Sequence, residues 1–414
     1  MRTRTARSEK IARSAKVRPR VLVVMYGNPN FHPPTINAVR IMSECFEVKV
    51  VCRNETGPTA DWPPAATIER VGEPVTSAET FGASALRKLA WYRGFVRRVR
   101  AAITETAPAL IYAYDPIGFA ASIAARGKLA EIPVAFHCHD TPTLGRPQIA
   151  SLQDWIFRYA LHHTSEAAFT VFPSKYRAPL WLDKAGDPRA PMIVPNGAAR
   201  EFYPSRQDWD AVAQRRWESK RVLYLGSMSP ENGQPQAMRA LATLPCAVKL
   251  DVAGFGTAEF RRELSELATE LSLQHRVSIS DWVPDTERDR YAEQAAVGLV
   301  LYRAVNPNWE HSGPSPNKLF QYAAWGLPVV VPDRKSFREF FEDDQWVTYA
   351  NPDDPASIAR AIEFILADRE RYIALSLAAR VAHETKYNYE HLFAPVLERI
   401  CALVGAAQDE TSQI

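Results

Sequence analysis

Two short stretches carry residue types that do chemistry. In "FHCHD" (136–140) His137 and His139 alternate along an apolar run, so they share one face of a strand, and His139-Asp140 falls where the strand becomes loop. An imidazole placed there can hydrogen-bond a hydroxyl or a departing oxygen; His137, deeper in the run, reads as structural. A metal site needs third and fourth ligands, and no other spacing in the chain offers them, so no metal is expected. The second stretch is "SPNKLFQYAAWGLPVVVPD" (315–333). The bend Gly313-Pro314-Ser315-Pro316 precedes a helix whose first turn holds Asn317 and Lys318. An ammonium at the positive end of a helix is unfavourable unless an anion offsets it, and the two together suit a diphosphate. Lys318 and Gln321 are three apart and can face one ligand, whereas the bland alternative is a lysine in solvent.

Two further stretches follow strands. "GNPNFHPP" (27–34) supplies Asn28, Asn30 and His32 ahead of a helix expected near Thr35, whose first N–H groups would be open to an anion or to acceptor hydroxyls. It lacks the GxGxxG spacing of a dinucleotide site. "YLGSMSPENG" (224–233) places Gly226, Ser227, Asn232 and Gly233 in a turn whose amides can surround phosphate oxygens.

The elements that must position these residues alternate. Runs apolar on both faces ("RVLVVMY", "EVKVVCR", "ALIYAYD", "PVAFHCH", "AFTVFPS"), with a shorter run, "TIERV", after the second, are separated by helical periods, which specifies a parallel sheet covered on two sides. A second series ("RVLYLG", "VKLDVAG", "RVSIS", "AVGLVLY", "PVVVP", "WVTYA") repeats the architecture, and three helical stretches close the chain. The expected division is a basic flexible leader (1–19), a first Rossmann-like domain (20–198), a linker (199–220), a second Rossmann-like domain (221–385), and a closing helix packed back on the first domain with a tail (386–414). Ligands lie beyond the carboxyl ends of parallel strands, so two such sheets imply a two-substrate cleft between them.

Bulk properties exclude other classes. The chain has 414 residues, 46 % of them hydrophobic, with 50 Lys and Arg against 47 Asp and Glu, so nothing demands a polyanionic partner and no nucleic-acid module is recognisable. No window is apolar enough for a membrane span or a secretory signal, and a cytoplasmic protein is expected. The five cysteines read as reduced core residues. The leader, with eight Arg or Lys before residue 21, reads as solvated or as weakly drawn to an anionic surface. The segment 83–105 sets Arg87, Lys88, Arg93, Arg97, Arg98 and Arg100 beside Leu86, Leu89, Trp91, Tyr92, Phe95 and Val96. It is either a domain helix with a basic solvated face or a peripheral contact with anionic membrane. Oligomeric state is not legible.

Taken together, "VLYLGSMSPENGQPQAMRAL", "KLDVAGFGTAEFRREL", "VSISDWVP", "SPNKLFQYAAWGLPVVVPD", "VFPSKYRAPLW" and "IVPNGA" resemble the family-four (GT4) retaining nucleotide-sugar glycosyltransferases over residues 20–403. The resemblance implies an α/β, GT-B fold, two Rossmann-like parallel-sheet domains facing an interdomain cleft. It implies a nucleoside-diphosphate sugar held by the second domain and an unidentified acceptor (small metabolite, saccharide or lipid-linked) held by the first, with no cofactor or metal. His139 and Lys318 are the implied catalytic residues. Gly226, Ser227, Asn232, Gly233, Ser315, Asn317 and Lys318 would meet the diphosphate; Gly254, Gly256 and Gln321 the ribose or base; Asn28, Asn30, His32, Asp140, Arg303, Glu310 and Gly313 the sugar or acceptor. The sequence departs from the pattern where the family carries Arg, Lys and two Glu: Ser227, Asn232, Gly313 and Gln321 stand there. Lys318 and Arg303 are expected to supply the missing positive charge. A noncatalytic glycan- or nucleotide-sugar-binding protein of the same fold is the alternative, and a phosphorylase a more distant one.

Overall fold

The computed structural model describes residues 18–127, 129, 131–142, 151–200, 208–281 and 285–411. Most of the leader lies outside these residues, as do parts of the expected linker and tail. Seven strands form the first sheet: β1 (Arg20–Met25), β2 (Glu47–Glu55), β3 (Ala66–Val75), β4 (Leu110–Tyr114), β5 (Val134–His137), β6 (Phe169–Phe172) and β7 (Met192–Ile193). Six form the second: β8 (Arg221–Leu225), β9 (Lys249–Ala253), β10 (Val277–Ser280), β11 (Val297–Leu299), β12 (Val329–Pro332) and β13 (Val347–Ala350).

Both sheets are parallel throughout, in the orders β3-β2-β1-β4-β5-β6-β7 and β10-β9-β8-β11-β12-β13. Each therefore reverses strand order once, between β1 and β4 and between β8 and β11, and the crevice at such a reversal is where an open α/β sheet receives ligands. β1, β4 and β8 are almost wholly buried because helices cover both faces. Gly118, in the helix Asp115–Arg126, lets that helix reach β1: a Cβ there would lie 2.9 Å from the Val24 carbonyl oxygen.

The two-sheet architecture agrees with the sequence reading, and four local expectations are corrected. Residues 209–219 of the expected linker form a helix, Trp209–Ser219, whose Trp209 and Ala213 pack into the second core. The first helix starts at Pro33, not at Thr35. "TIERV" widens into the ten-residue strand β3. Of the five cysteines only Cys52 and Cys138 are buried; Cys45, Cys246 and Cys401 are exposed, Cys45 at a helix end with Cys401 of the last helix beside it, and Cys246 in a loop.

That last helix, Tyr389–Thr411, crosses back to the first sheet, where Tyr389, Phe393, Val396, Ile400 and Val404 enter the core beside β1 and β4. Among the described residues no helix is long and apolar enough to cross a membrane.

Candidate functional site

Beyond the carboxyl ends of β1, β4 and β5 lies a cavity of about 150 Å³ lined by Tyr26, His32, Asp115, His139, Asp140 and Phe157 among others. Asp115 directly follows β4 and adopts a left-handed backbone (φ 57°), which turns its carboxylate toward β5. One carboxylate oxygen accepts the His139 backbone N–H at 2.8 Å; the other is 3.2 Å from His139 Nδ1. Burial alone would raise the Asp115 pKa, but the charge and hydrogen bonds of His139 outweigh it and hold it at about 2. An ionised carboxylate only accepts, so Nδ1 carries the proton, and Nε2, 3.3 Å from Thr35 Oγ1, is left as the ring's other functional atom.

The His139 ring is fixed by stacking on Tyr114 (4.9 Å between centroids), His32 (5.0 Å) and His137 (4.9 Å). Burial and the nearby His139 lower the His32 pKa to about 4, so His32 faces the cavity as a neutral ring. His137 is fully buried against the Tyr112 hydroxyl at 2.9 Å and does not line the cavity.

The loop 27–34 is built differently from the expectation. Pro33 and Pro34 carry no N–H, and those of Thr35 and Ile36 are taken by the His32 carbonyl, so this helix start has no amide to offer an anion. Asn28 Oδ1 caps the short turn at Pro29–Phe31 by accepting from Asn30 N–H. Asn30 donates to Pro58 O at 2.8 Å and accepts from Trp62 Nε1 at 3.1 Å. Both asparagines thereby hold the loop against residues 58–70, and His32 is the member of this stretch that reaches the cavity.

Across the cleft, the turns after β8 and β9 are pressed together. Gly226 N–H donates to Ala253 O at 2.9 Å and Met228 N–H to Phe255 O at 2.8 Å. At Gly254 (φ 147°) a Cβ would stand 1.9 Å from the Gly226 carbonyl oxygen, so only glycine allows the contact. Gly256 is similarly tight against Met228, and Gly233 (φ 75°) opens the helix Gln234–Thr243.

Ser227 and Asn232 close on each other. Asn232 Nδ2 donates to Ser227 O at 2.8 Å and lies 3.1 Å from Ser227 Oγ, so neither places charge in the turn. The charge comes from Lys318, in the first turn of the helix Asn317–Ala324 and only 7 % exposed. Its Nζ donates to the Tyr224 hydroxyl at 2.6 Å, lies 3.9 Å from the Tyr224 ring centre, and would be 3.3 Å from a Cβ at Gly226. Among the described residues no carboxylate pairs with it, and burial lowers its pKa to about 7. The buried atoms Ser315 Oγ, Asn317 Oδ1, Asn232 Oδ1 and Gln234 Oε1, from these same two segments, have no partner, the condition a bound ligand relieves.

Other expected members lie aside. Arg303 is bonded through Nε to Asp353 at 2.5 Å, a partly exposed pair that offsets part of its charge. Glu310 is exposed at the end of the short helix Pro307–Glu310, and Gln321 is half-buried one turn after Lys318. Gly313 is buried with its carbonyl accepting from Ser174 Oγ of the first lobe at 2.8 Å. A Cβ there would sit 2.9 Å from the Phe337 ring, so the glutamate of the family pattern has no room at this position. Among the described residues no group of three or more His, Cys, Asp or Glu is placed to hold a metal.

Residues 37–197 match a family described as "Glycosyl transferase 4-like domain", and residues 219–368 one described as "Glycosyl transferases group 1". The chain is a glycosyltransferase related to these two families. The D-inositol 3-phosphate glycosyltransferase of Xylanimonas cellulosilytica is 27 % identical over 221 residues, 50 % of this chain and 50 % of that enzyme, so the match spans half of the relative's length. The GDP-mannose-dependent alpha-(1-6)-phosphatidylinositol monomannoside mannosyltransferase of Mycolicibacterium smegmatis is 23 % identical over 270 residues, 64 % of this chain and 68 % of that one. Among solved structures, Anabaena HepE in complex with UDP superposes with a TM-score of 0.69 at 18 % identity, covering 93 % of this chain and all of that one (100 %). The sucrose-phosphate synthase from Thermosynechococcus elongatus gives 0.71 at 18 %, covering 94 % and 100 %. The glycosyltransferase thus has the GT-B fold.

Within this glycosyltransferase, Asp115, Thr35 and Tyr224 take parts that no pattern in the sequence assigns to them. Asp115 had one usable signal, a carboxylate directly after an apolar strand. Tyr224 and Thr35 had none, since each looks like an ordinary core residue until the other lobe elements are in place.

Proposed function

We propose that this glycosyltransferase moves a sugar from a nucleoside-diphosphate sugar to an acceptor hydroxyl with retention at the anomeric carbon. The observation that carries the reading is Lys318: a buried ammonium with no carboxylate partner among the described residues, set against the Gly226 turn. Leaving such a group uncompensated is costly unless an anion arrives, and a diphosphate beside the helix start at Asn317 is the anion that fits. HepE structures in complex with UDP and with UDP-glucose lend support by likeness of fold. As the bond to the sugar breaks, negative charge grows on the leaving phosphate, and Lys318 with the surrounding amides stabilises it.

The acceptor occupies the cavity at His139, where Nε2 and the neutral His32 ring orient its hydroxyl. The acceptor class, whether small metabolite, saccharide or lipid-linked, stays within this proposal. A lipid-linked acceptor is favoured by Phe81 and Leu86, which are 82 % and 80 % exposed beside Arg87 and Lys88 and would meet an anionic membrane.

A thermal-shift screen of UDP, GDP, dTDP and ADP sugars tests the donor. One nucleotide class is expected to stabilise the wild type and to lose that effect in K318A, with nucleoside diphosphate released on adding acceptors. Stabilisation equal in both proteins removes Lys318 from the site; binding without release under any acceptor points to the noncatalytic alternative.

A further inference from the structure

Arg177 belongs to the first lobe, immediately before the helix Ala178–Ala185, and its side chain is 8 % exposed. Nη1 donates to Asp140 Oδ1 at 2.7 Å and lies 3.4 Å from the His139 carbonyl oxygen. Nη2 crosses the cleft and donates to the Asn308 carbonyl oxygen of the second lobe at 3.1 Å. Asn308 answers in the opposite direction, donating from Nδ2 to the Thr141 carbonyl oxygen. One guanidinium therefore holds the loop that carries His139 with one arm and the donor lobe with the other. The cluster also sits close to the Lys318 turn: the charges of Arg177 and Asp140 both act on the Tyr302 hydroxyl, and the Tyr302 ring centre is 5.2 Å from Lys318 Nζ.

Among the described residues further bonds join the lobes, from Ser174 Oγ to Gly313 O at 2.8 Å, from Asn196 Nδ2 to Ser315 O at 2.7 Å, and from the Tyr176 hydroxyl and Lys175 Nζ to the Glu339 carboxylate. None of these touches the His139 loop. The Arg177 fork and the Asn308 amide are the connections that do, and the planar, two-armed geometry of the guanidinium is something lysine lacks.

We propose that Arg177 is a positioning residue that makes the arrangement of His139, Asp140 and Thr141 conditional on the donor-lobe segment 306–313 being in place. When the lobes part, Arg177 loses the Asn308 carbonyl and the loop loses the Asn308 amide at the same moment. Acceptor positioning at His139 is thereby coupled to lobe closure. The inference rests on the glycosyltransferase reading for its purpose, but its test does not require a donor or an acceptor.

Amide hydrogen exchange on the full chain, without ligand, provides that test. In N308A, a change in the second lobe that removes the Nδ2 bond to the Thr141 carbonyl but keeps the backbone carbonyl that Arg177 reaches, exchange at residues 139–141 of the first lobe should quicken about fivefold, the loss expected when one hydrogen bond is removed. R177K should quicken the same amides by a similar factor despite keeping the charge, whereas a merely structural cation would be rescued by lysine. Exchange in β1 and β4 should stay within twofold in both. If N308A leaves 139–141 within twofold of the wild type, or if R177K restores wild-type exchange there, the coupling is refuted. N308A, half-buried, keeps the test open should Arg177 variants fold poorly. Failure of the donor screen with this exchange pattern intact would reject the donor assignment and leave the latch standing.

Discussion

Lys318 Nζ lies 2.6 Å from the Tyr224 hydroxyl, which itself donates to the Ser227 carbonyl oxygen at 2.8 Å. A lysine from the start of one helix thus holds, through a single phenol, the turn that follows β8. Burial moves its pKa from the ordinary 10.5 to about 7, so between those values the unfolded chain binds a proton that the folded chain does not. The cost of burying the ammonium is fully present below pH 7 and is relieved as pH rises toward 10.5. K318M should therefore be at least as stable as the wild type at pH 6, read as Tm.

Donor binding has the opposite sign. A diphosphate favours the ammonium, so above pH 7 binding must draw in a proton, and affinity should weaken by up to about tenfold per pH unit. Calorimetric titration of UDP at pH 8.5 in two buffers of different ionisation heat should register uptake approaching one proton per site. No uptake is expected in K318M. Affinity independent of pH between 6.5 and 8.5 would remove the ammonium from the donor site.

Asp115 and His139 form the corresponding pair on the acceptor side. Because the Asp115 pKa is depressed from 3.8 to about 2, its contribution to stability is present above 3.8 and is lost as pH falls toward 2. D115N should be less stable than the wild type by roughly 2 kcal/mol at pH 7, with the difference shrinking below pH 4. It also frees His139 to adopt the other tautomer, and transfer should fall about 100-fold while UDP affinity holds. Equal loss of UDP affinity would mean that the pair supports the donor site instead.

What the sequence made legible follows from locality. β1, β4 and β8 could be read because burial on both faces leaves an unbroken apolar run, and Lys318 because a cation at a helix start is locally anomalous. The ion pair that partly offsets Arg303 is not legible locally, because Asp353 is 50 positions away. The helix Trp209–Ser219 reads as linker in the sequence because only Trp209, Ala213 and Arg216 are buried, and most of the remainder is polar. Asp115 and Thr35 contribute through contacts with His139 that are 24 and 104 residues apart in sequence, which no local pattern encodes.

The close approach of the two donor-lobe turns can be tested at Gly254. In G254A the new Cβ would meet the Gly226 carbonyl oxygen, and the residue would also have to keep φ 147°. Strain and overlap together should cost roughly 2–4 kcal/mol and abolish UDP binding as the turns separate. Gly72 is the control. It too has positive φ (87°), but nothing lies within 4 Å of its Cβ, so G72A should lose only about 1 kcal/mol and bind UDP normally. Similar losses in Tm and binding for both variants would show that backbone conformation, not the contact with Gly226, explains the glycine.

The exposed end of the first lobe makes its own prediction. Phe81 and Leu86 present large apolar side chains to solvent, and the following helix, Ala85–Thr106, adds exposed Arg87, Arg93 and Arg97. Two apolar insertions each contribute about 2–3 kcal/mol when transferred from water, and each cation near an anionic surface about 1 kcal/mol. The protein should float with vesicles containing phosphatidylserine at low salt, detach as salt rises, and ignore purely zwitterionic vesicles. F81S/L86S should reduce flotation at least tenfold without changing UDP affinity, because both residues are remote in sequence and contact from the Lys318 turn. Flotation that is equal in the variant would reassign the attraction to other basic segments, and no flotation at low salt would make this helix an ordinary solvated face.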